Sequence, residues 1–164
     1  MFRFAVVAFI IAIVQGVAPA WTQTATCSAL RAVANDLAGQ PKALIGARES
    51  EYEWRARQAV PDASECLVAK GVDGPVDEVF YCNFLEDDPS IAGVRLQAME
   101  KELAGCFPDF EQLRVGAAMD FSGRWPGRDS QLFIHLAPGR YEGLGVHQGS
   151  SSRLHLALTF QQRD

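Results

Sequence analysis

The chain has 164 residues, with 15 Lys and Arg against 20 Asp and Glu and a formal charge of −5. That acidic balance lacks the basic footprint that phosphate binding needs, so nucleic acid is excluded as an expected partner, and adsorption to anionic lipid is disfavoured for the same reason. The length fits one domain with its own core, and no repeat, low-complexity tract or long Pro/Ser linker marks a second one.

Residues 1–20 read as an export signal. Arg3 supplies a positive start, Ala5 to Val14 is an uncharged apolar run, and Ala18-Pro19-Ala20 has the small-x-small cleavage pattern. The run is short for a membrane span, which takes roughly 20 residues. Cleavage after Ala20 leaves residues 21–164 as a single α+β domain that starts at Trp21, is secreted or periplasmic, and has no further span. Thr24-Ala25-Thr26 before Cys27 lacks the residues expected ahead of a lipidated cysteine, so Cys27 stays with the folded domain.

The first helix is expected over Cys27 to Ala38, because Leu30, Val33, Ala34 and Leu37 recur at helical spacing. Thr26 can cap it, Gly39 can end it, and Pro41 prevents its continuation. Strict alternation over Glu51 to Arg57 predicts a strand with Tyr52, Trp54 and Ala56 on one face and charges on the other. A second strand follows at Glu65 to Ala69, turn chemistry at Gly71 to Pro75, and a third strand at Glu78 to Phe84. Asp88 and Pro89 start a second helix. Its apolar stripe, Ala92, Leu96, Met99 and Leu103, ends at Cys106, and Pro108 follows. Three alternating runs close the chain: Leu113 to Phe121, Leu132 to Leu136, and Leu154 to Phe160. Gly143 to Ser152 is a connection with one short strand or none. The predicted order is α-β-β-β-α-β-β-β, a mainly antiparallel sheet with two helices on one face and crosslinked by disulfides.

Cys27, Cys66, Cys82 and Cys106 are even in number and follow an export signal, which favours two structural disulfides. None of their spacings is that of a zinc site, and no histidine precedes His135. Cys66 and Cys82 lie on adjacent strands, and each helix cysteine can reach down to one of them. The leading assignment is Cys82–Cys106 with Cys27–Cys66. The alternative is Cys66–Cys82 with Cys27–Cys106.

Glu65-Cys66-Leu67, Tyr81-Cys82-Asn83-Phe84 and Cys106-Phe107 form a strand-strand-helix cysteine pattern that resembles one in small, uncharacterised exported bacterial proteins. The element order is similar to that of type III secretion chaperone-like folds, a likeness of order that carries no function. An export leader argues against a cytosolic secretion chaperone, and neither resemblance supplies a site residue.

Candidate chemistry is sparse. His135 and His155 fall on the polar faces of two late strands, with His147 between them, and three imidazoles can hold a transition metal if the strands pair. Two solvated strand histidines are the plainer reading, and no cofactor is expected. Asp87-Asp88 is better explained by helix capping than by a catalytic carboxylate pair. Ser150-Ser151-Ser152 lacks the Gly-x-Ser-x-Gly elbow of a hydrolase. The loop Ser122 to Arg128 places Trp125 between Arg124 and Arg128, residue types that dominate protein–protein contacts. Trp125 could equally fold back over the edge of the core. The leading functional expectation is a non-enzymatic exported domain that binds another exported protein or an envelope component through Arg124, Trp125 and Arg128. The rival is a small secreted hydrolase or metal-binding enzyme that uses the late histidines.

Overall fold

The structure is a computed structural model that describes residues 24–70, 78–85, 88–142, 145–147 and 153–161. The expected leader at 1–20, Trp21, the turn at 71–75, Asp87 and the serines 150–152 lie outside the described residues.

Helix α1 (Ala25–Gly39) buries Leu30, Val33, Ala34 and Leu37, the stripe that its periodicity marks. Full burial of one such Leu or Val contributes about 1.5–3 kcal/mol. The cap is Thr24 rather than Thr26: its hydroxyl oxygen accepts from the Cys27 backbone N–H at 3.2 Å. A 3-10 turn, Pro41–Ala43, then leads into β1 (Ile45–Arg48) and β2 (Glu53–Ala56). Strand β1 was not evident from the sequence, because Gly46 and the short run carry little alternation. The predicted strand at 51–57 is the shorter β2.

Strands β3 (Glu65–Lys70) and β4 (Glu78–Leu85) match their predicted runs. Helix α2 (Pro89–Cys106) starts where expected, and the Asp88 carboxylate accepts from the Ser90 backbone N–H at 2.8 Å. The hydroxyl and backbone N–H of Ser90 hold the Asp88 carboxyl below its ordinary range. Ala92, Met99, Leu103 and Cys106 are buried.

The run Leu113 to Phe121 is two strands, not one. Strands β5 (Glu111–Val115) and β6 (Ala118–Arg124) form a hairpin across Gly116-Ala117. Gly116 has φ 62°, at the first loop position, where a II′ turn favours glycine. The reversal places Leu113 opposite Asp120 and Arg114 opposite Met119, so Leu113 and Val115 leave the core face on which simple alternation puts them. Arg114 instead reaches Glu100 of α2 at 2.6 Å.

Strands β7 (Gln131–Pro138) and β10 (Arg153–Gln161) complete an eight-stranded antiparallel sheet in the order β1-β2-β3-β4-β10-β7-β6-β5. Strands β8 (Arg140–Glu142) and β9 (Gly145–His147) form a separate ribbon, with β8 close to β4 and β10. The fold is therefore α+β, with both helices on one face. The main core joins α1 and α2 to Phe80, Phe84, Phe121, Ile134, Leu136 and Leu156 on the sheet. Leu67, Ala69, Tyr81 and Ala157 form a smaller apolar cluster on the opposite face. There Glu53, expected on a solvated charged face, accepts from the Tyr81 hydroxyl at 2.5 Å.

The disulfides are Cys27–Cys106 and Cys66–Cys82, which overturns the leading assignment. The β3–β4 register sets Cys66 directly opposite Cys82, with Cα atoms 4.1 Å apart, so each already has a neighbour on the facing strand. The helices lie beside each other, and the first turn of α1 meets the last turn of α2, with the Cα atoms of Cys27 and Cys106 5.3 Å apart. Two disulfides fit a compartment outside the reducing cytosol. Among the described residues no helix is long and apolar enough to cross a membrane.

Candidate functional site

The Trp125 loop is built into the fold. Trp125 is 7% exposed, its indole N–H donates to Asn35 Oδ1 of α1 at 3.2 Å, and its ring packs against Phe107 with centroids 6.2 Å apart. Arg128 donates from Nε to the Ala38 carbonyl at 2.7 Å and from Nη2 to that of Leu37 at 3.2 Å. These are terminal carbonyls of a helix, which need donors and attract a cation. The same guanidinium lies over the Phe160 ring at 5.0 Å. On the other side of this clasp, Arg31 lies over Phe107 and donates to the Cys106 carbonyl. Trp125 and Arg128 thus lock α1 to the sheet, and their indole and guanidinium are engaged within the fold. Of the three, Trp125 is buried while Arg124 and Arg128 are exposed, and Arg128 spends its guanidinium on the end of α1.

The late histidines do come together, because β10 pairs with β7. The His135 and His155 rings have centroids 5.3 Å apart. Asp120 on β6 lies opposite His135, and its Oδ1 accepts from His135 Nδ1 at 2.5 Å, which turns Nε2 away from the carboxylate. Asp120 was legible only as a polar-face residue of a strand; its partner depends on register. His155 is fully buried, with Nδ1 3.3 Å from the Gly139 carbonyl. Burial lowers the His155 pKa from 6.5 to about 4, the neighbouring His135 pushes the same way, and the Gly139 carbonyl opposes them. His155 is therefore neutral at pH 7. His147 lies on β9, and its side chain falls outside the described residues. Among the described residues no three His, Cys, Asp or Glu side chains are grouped to hold a metal.

A third feature lies along α2 from Ile91 to Glu102. A groove of about 360 Å³ runs between α2, the start of α1 at Thr26 and the Pro61-Asp62 turn, and Phe84 and Met99 contribute to its lining. Ile91 is 51% exposed and Val94 is 70% exposed, and both line it. Its charged lining is two carboxylates, Asp62 and Glu102, against one guanidinium, Arg95, and the Asp62 side chain is 83% exposed. Arg95 is held by Asp62 at 3.6 Å and covers the Phe84 ring at 4.9 Å. Sequence reasoning missed this surface. The available signal was that Ile91 and Val94, three apart, lie off the stripe formed by Ala92, Leu96, Met99 and Leu103.

No family model matches the chain, and no curated protein or solved structure matches it.

Proposed function

We propose that the chain is an exported, disulfide-stapled, non-enzymatic module that binds an extended or helical segment of another envelope protein. The observation that carries this reading is the pair Ile91 and Val94, exposed beside a groove lined by Phe84 and Met99. Contiguous exposed apolar surface costs free energy in water unless something covers it, and apolar anchors in desolvated pockets carry most interface energy. The apolar lining favours a bulky apolar anchor, and the excess of carboxylates over Arg95 favours a basic neighbour. The leader pattern and the two disulfides support export.

The test is selection of peptides from a random display library on the oxidised protein, with the Val94→Glu variant for counter-selection. The expected result is enrichment of peptides that combine an aromatic or large aliphatic residue with Lys or Arg and that fail to bind Val94→Glu. Absence of enrichment, or equal binding to Val94→Glu, defeats the proposal.

A second reading draws on the Asp120, His135 and His155 grouping, in which an oriented imidazole next to a neutral buried one could serve metal binding or acid–base chemistry. Titration with a transition metal that binds the native protein but not His135→Ala would favour it over the peptide-binding reading.

A further inference from the structure

We infer that strand β5 is a self-association edge, through which a second copy of this chain continues the sheet across a two-fold axis. The two ends of the sheet are managed differently. At one end, β1 is four residues long and its register with β2 shifts between Ile45 and Arg48. Arg48 there folds onto the Ser50 and Glu51 carbonyls at 2.9 and 3.2 Å. Irregularity and a charged side chain are the usual protection of a sheet edge. At the other end, β5 keeps unbroken register with β6 from Glu111 to Val115 and contains no proline; of its two charged residues, Arg114 is drawn to Glu100 of α2 and Glu111 sits at the strand's start. All five of its residues are exposed.

The polar backbone of β5 faces outward in a defined way. A two-residue hairpin loop makes its flanking pair, Val115 and Ala118, a hydrogen-bonded one. Alternation then turns the N–H and C=O of Gln112 and Arg114 away from β6. Antiparallel pairing of β5 with a second β5, Leu113 opposite Leu113, is the register that overlaps all five residues. It joins each outward Gln112 to the Arg114 of the other copy by backbone bonds in both directions. Leu113 and Val115, 59% and 58% exposed, lie on the sheet face away from the helices. In this register the two Leu113 side chains form a close non-hydrogen-bonded pair, and each Val115 is diagonal to the other copy's Leu113. Glu111 and Arg114 cancel in formal charge within each strand, and neither lies directly opposite its own twin. This match of the edge to itself favours a second copy over an unrelated strand. The contact is small, at the low end of specific interfaces, so the dimer forms reversibly with concentration.

Sedimentation equilibrium of the oxidised protein over a dilution series tests this, with thermal unfolding as the check on fold. The native protein is expected to pass from monomer to dimer. Leu113→Lys, a change at an exposed site, is expected to weaken the dimer by ~10-fold or more without altering unfolding. Leu113→Cys fixes the register: oxidation should crosslink it as a dimer, whereas Val115→Cys, opposite Glu111 of the other copy, should not crosslink. A monomer at every concentration, unaltered dimerisation of Leu113→Lys, or equal crosslinking of the two cysteine variants overturns the inference.

Discussion

Trp125 and Asn35, ninety positions apart, meet through a hydrogen bond of 3.2 Å from the indole N–H to the amide oxygen. The bond ties the β6–β7 connection to α1, and Phe107 packs at a tilt against the same indole from the end of α2. Trp125→Ala is therefore expected to lower stability by about 3–5 kcal/mol, the cost of emptying a large aromatic site. Trp125→Phe keeps much of the packing and should cost less, with about 1–3 kcal/mol from the amide oxygen left without its donor. Urea denaturation of both variants measures this. A Trp125→Ala protein as stable as the native one would return the residue to the surface.

The two crosslinks should differ in worth. Cys27 and Cys106 are separated by 79 positions, and Cys66 and Cys82 by 16. In the chain-entropy model the longer loop contributes about 4.5 kcal/mol and the shorter about 3 kcal/mol. Thermal unfolding of the Cys27→Ala/Cys106→Ala and Cys66→Ala/Cys82→Ala double variants should rank them in that order. Non-reducing peptide mapping of the native protein should recover these two pairings and no Cys82–Cys106 peptide.

Stability should fall with acid through His155. An unfolded imidazole titrates near 6.5 and the folded one at about 4. Between those values the unfolded chain takes up a proton that the folded chain refuses. The stabilisation of the neutral buried ring is therefore complete above pH 6.5, is lost as pH falls through the window, and levels off below about pH 4. The shift corresponds to about 3 kcal/mol. Chemical denaturation of native and His155→Gln proteins across this range should show the native slope flattened in the variant. An unchanged slope would mean that His155 does not carry it.

Gly123 has no room for a side chain. A Cβ there would meet the Phe110 ring well inside van der Waals contact. Gly123→Ala is expected to cost about 1–3 kcal/mol by overpacking. Phe110→Ala removes the obstacle, so the double variant should be less destabilised than the sum of the two single changes. Additive costs from denaturation curves would show that the ring does not press on this position.

Periodicity made much of the fold legible. The stripe Leu30, Val33, Ala34 and Leu37, the Asp88-Pro89 helix start, and the alternation in Leu132 to Leu136 and Leu154 to Phe160 each reflect a local rule of helix or strand geometry. Where one residue suspends such a rule, the reading fails. Gly116 turns the run from Leu113 to Phe121 back on itself, and the faces of Leu113 and Val115 invert with it. The acidic composition, the cysteine count and the strand parity of His135 and His155 were likewise properties of the chain itself, because each depends on identity or on near neighbours.

Tertiary structure alone decided the contacts. Strand register chose Cys82 for Cys66 and Asp120 for His135, since spacing along a chain does not specify which residue faces another across a sheet. Helix packing brought Cys27 to Cys106 and drew Trp125 beneath α1, where burial and the Asn35 oxygen outweigh exposure at a loop. The groove beside Ile91 and Val94 exists only because α1, α2 and the Pro61-Asp62 turn converge there. Pairings and cavities of this kind arise from many weak contacts satisfied together, and no local stretch of sequence encodes them singly.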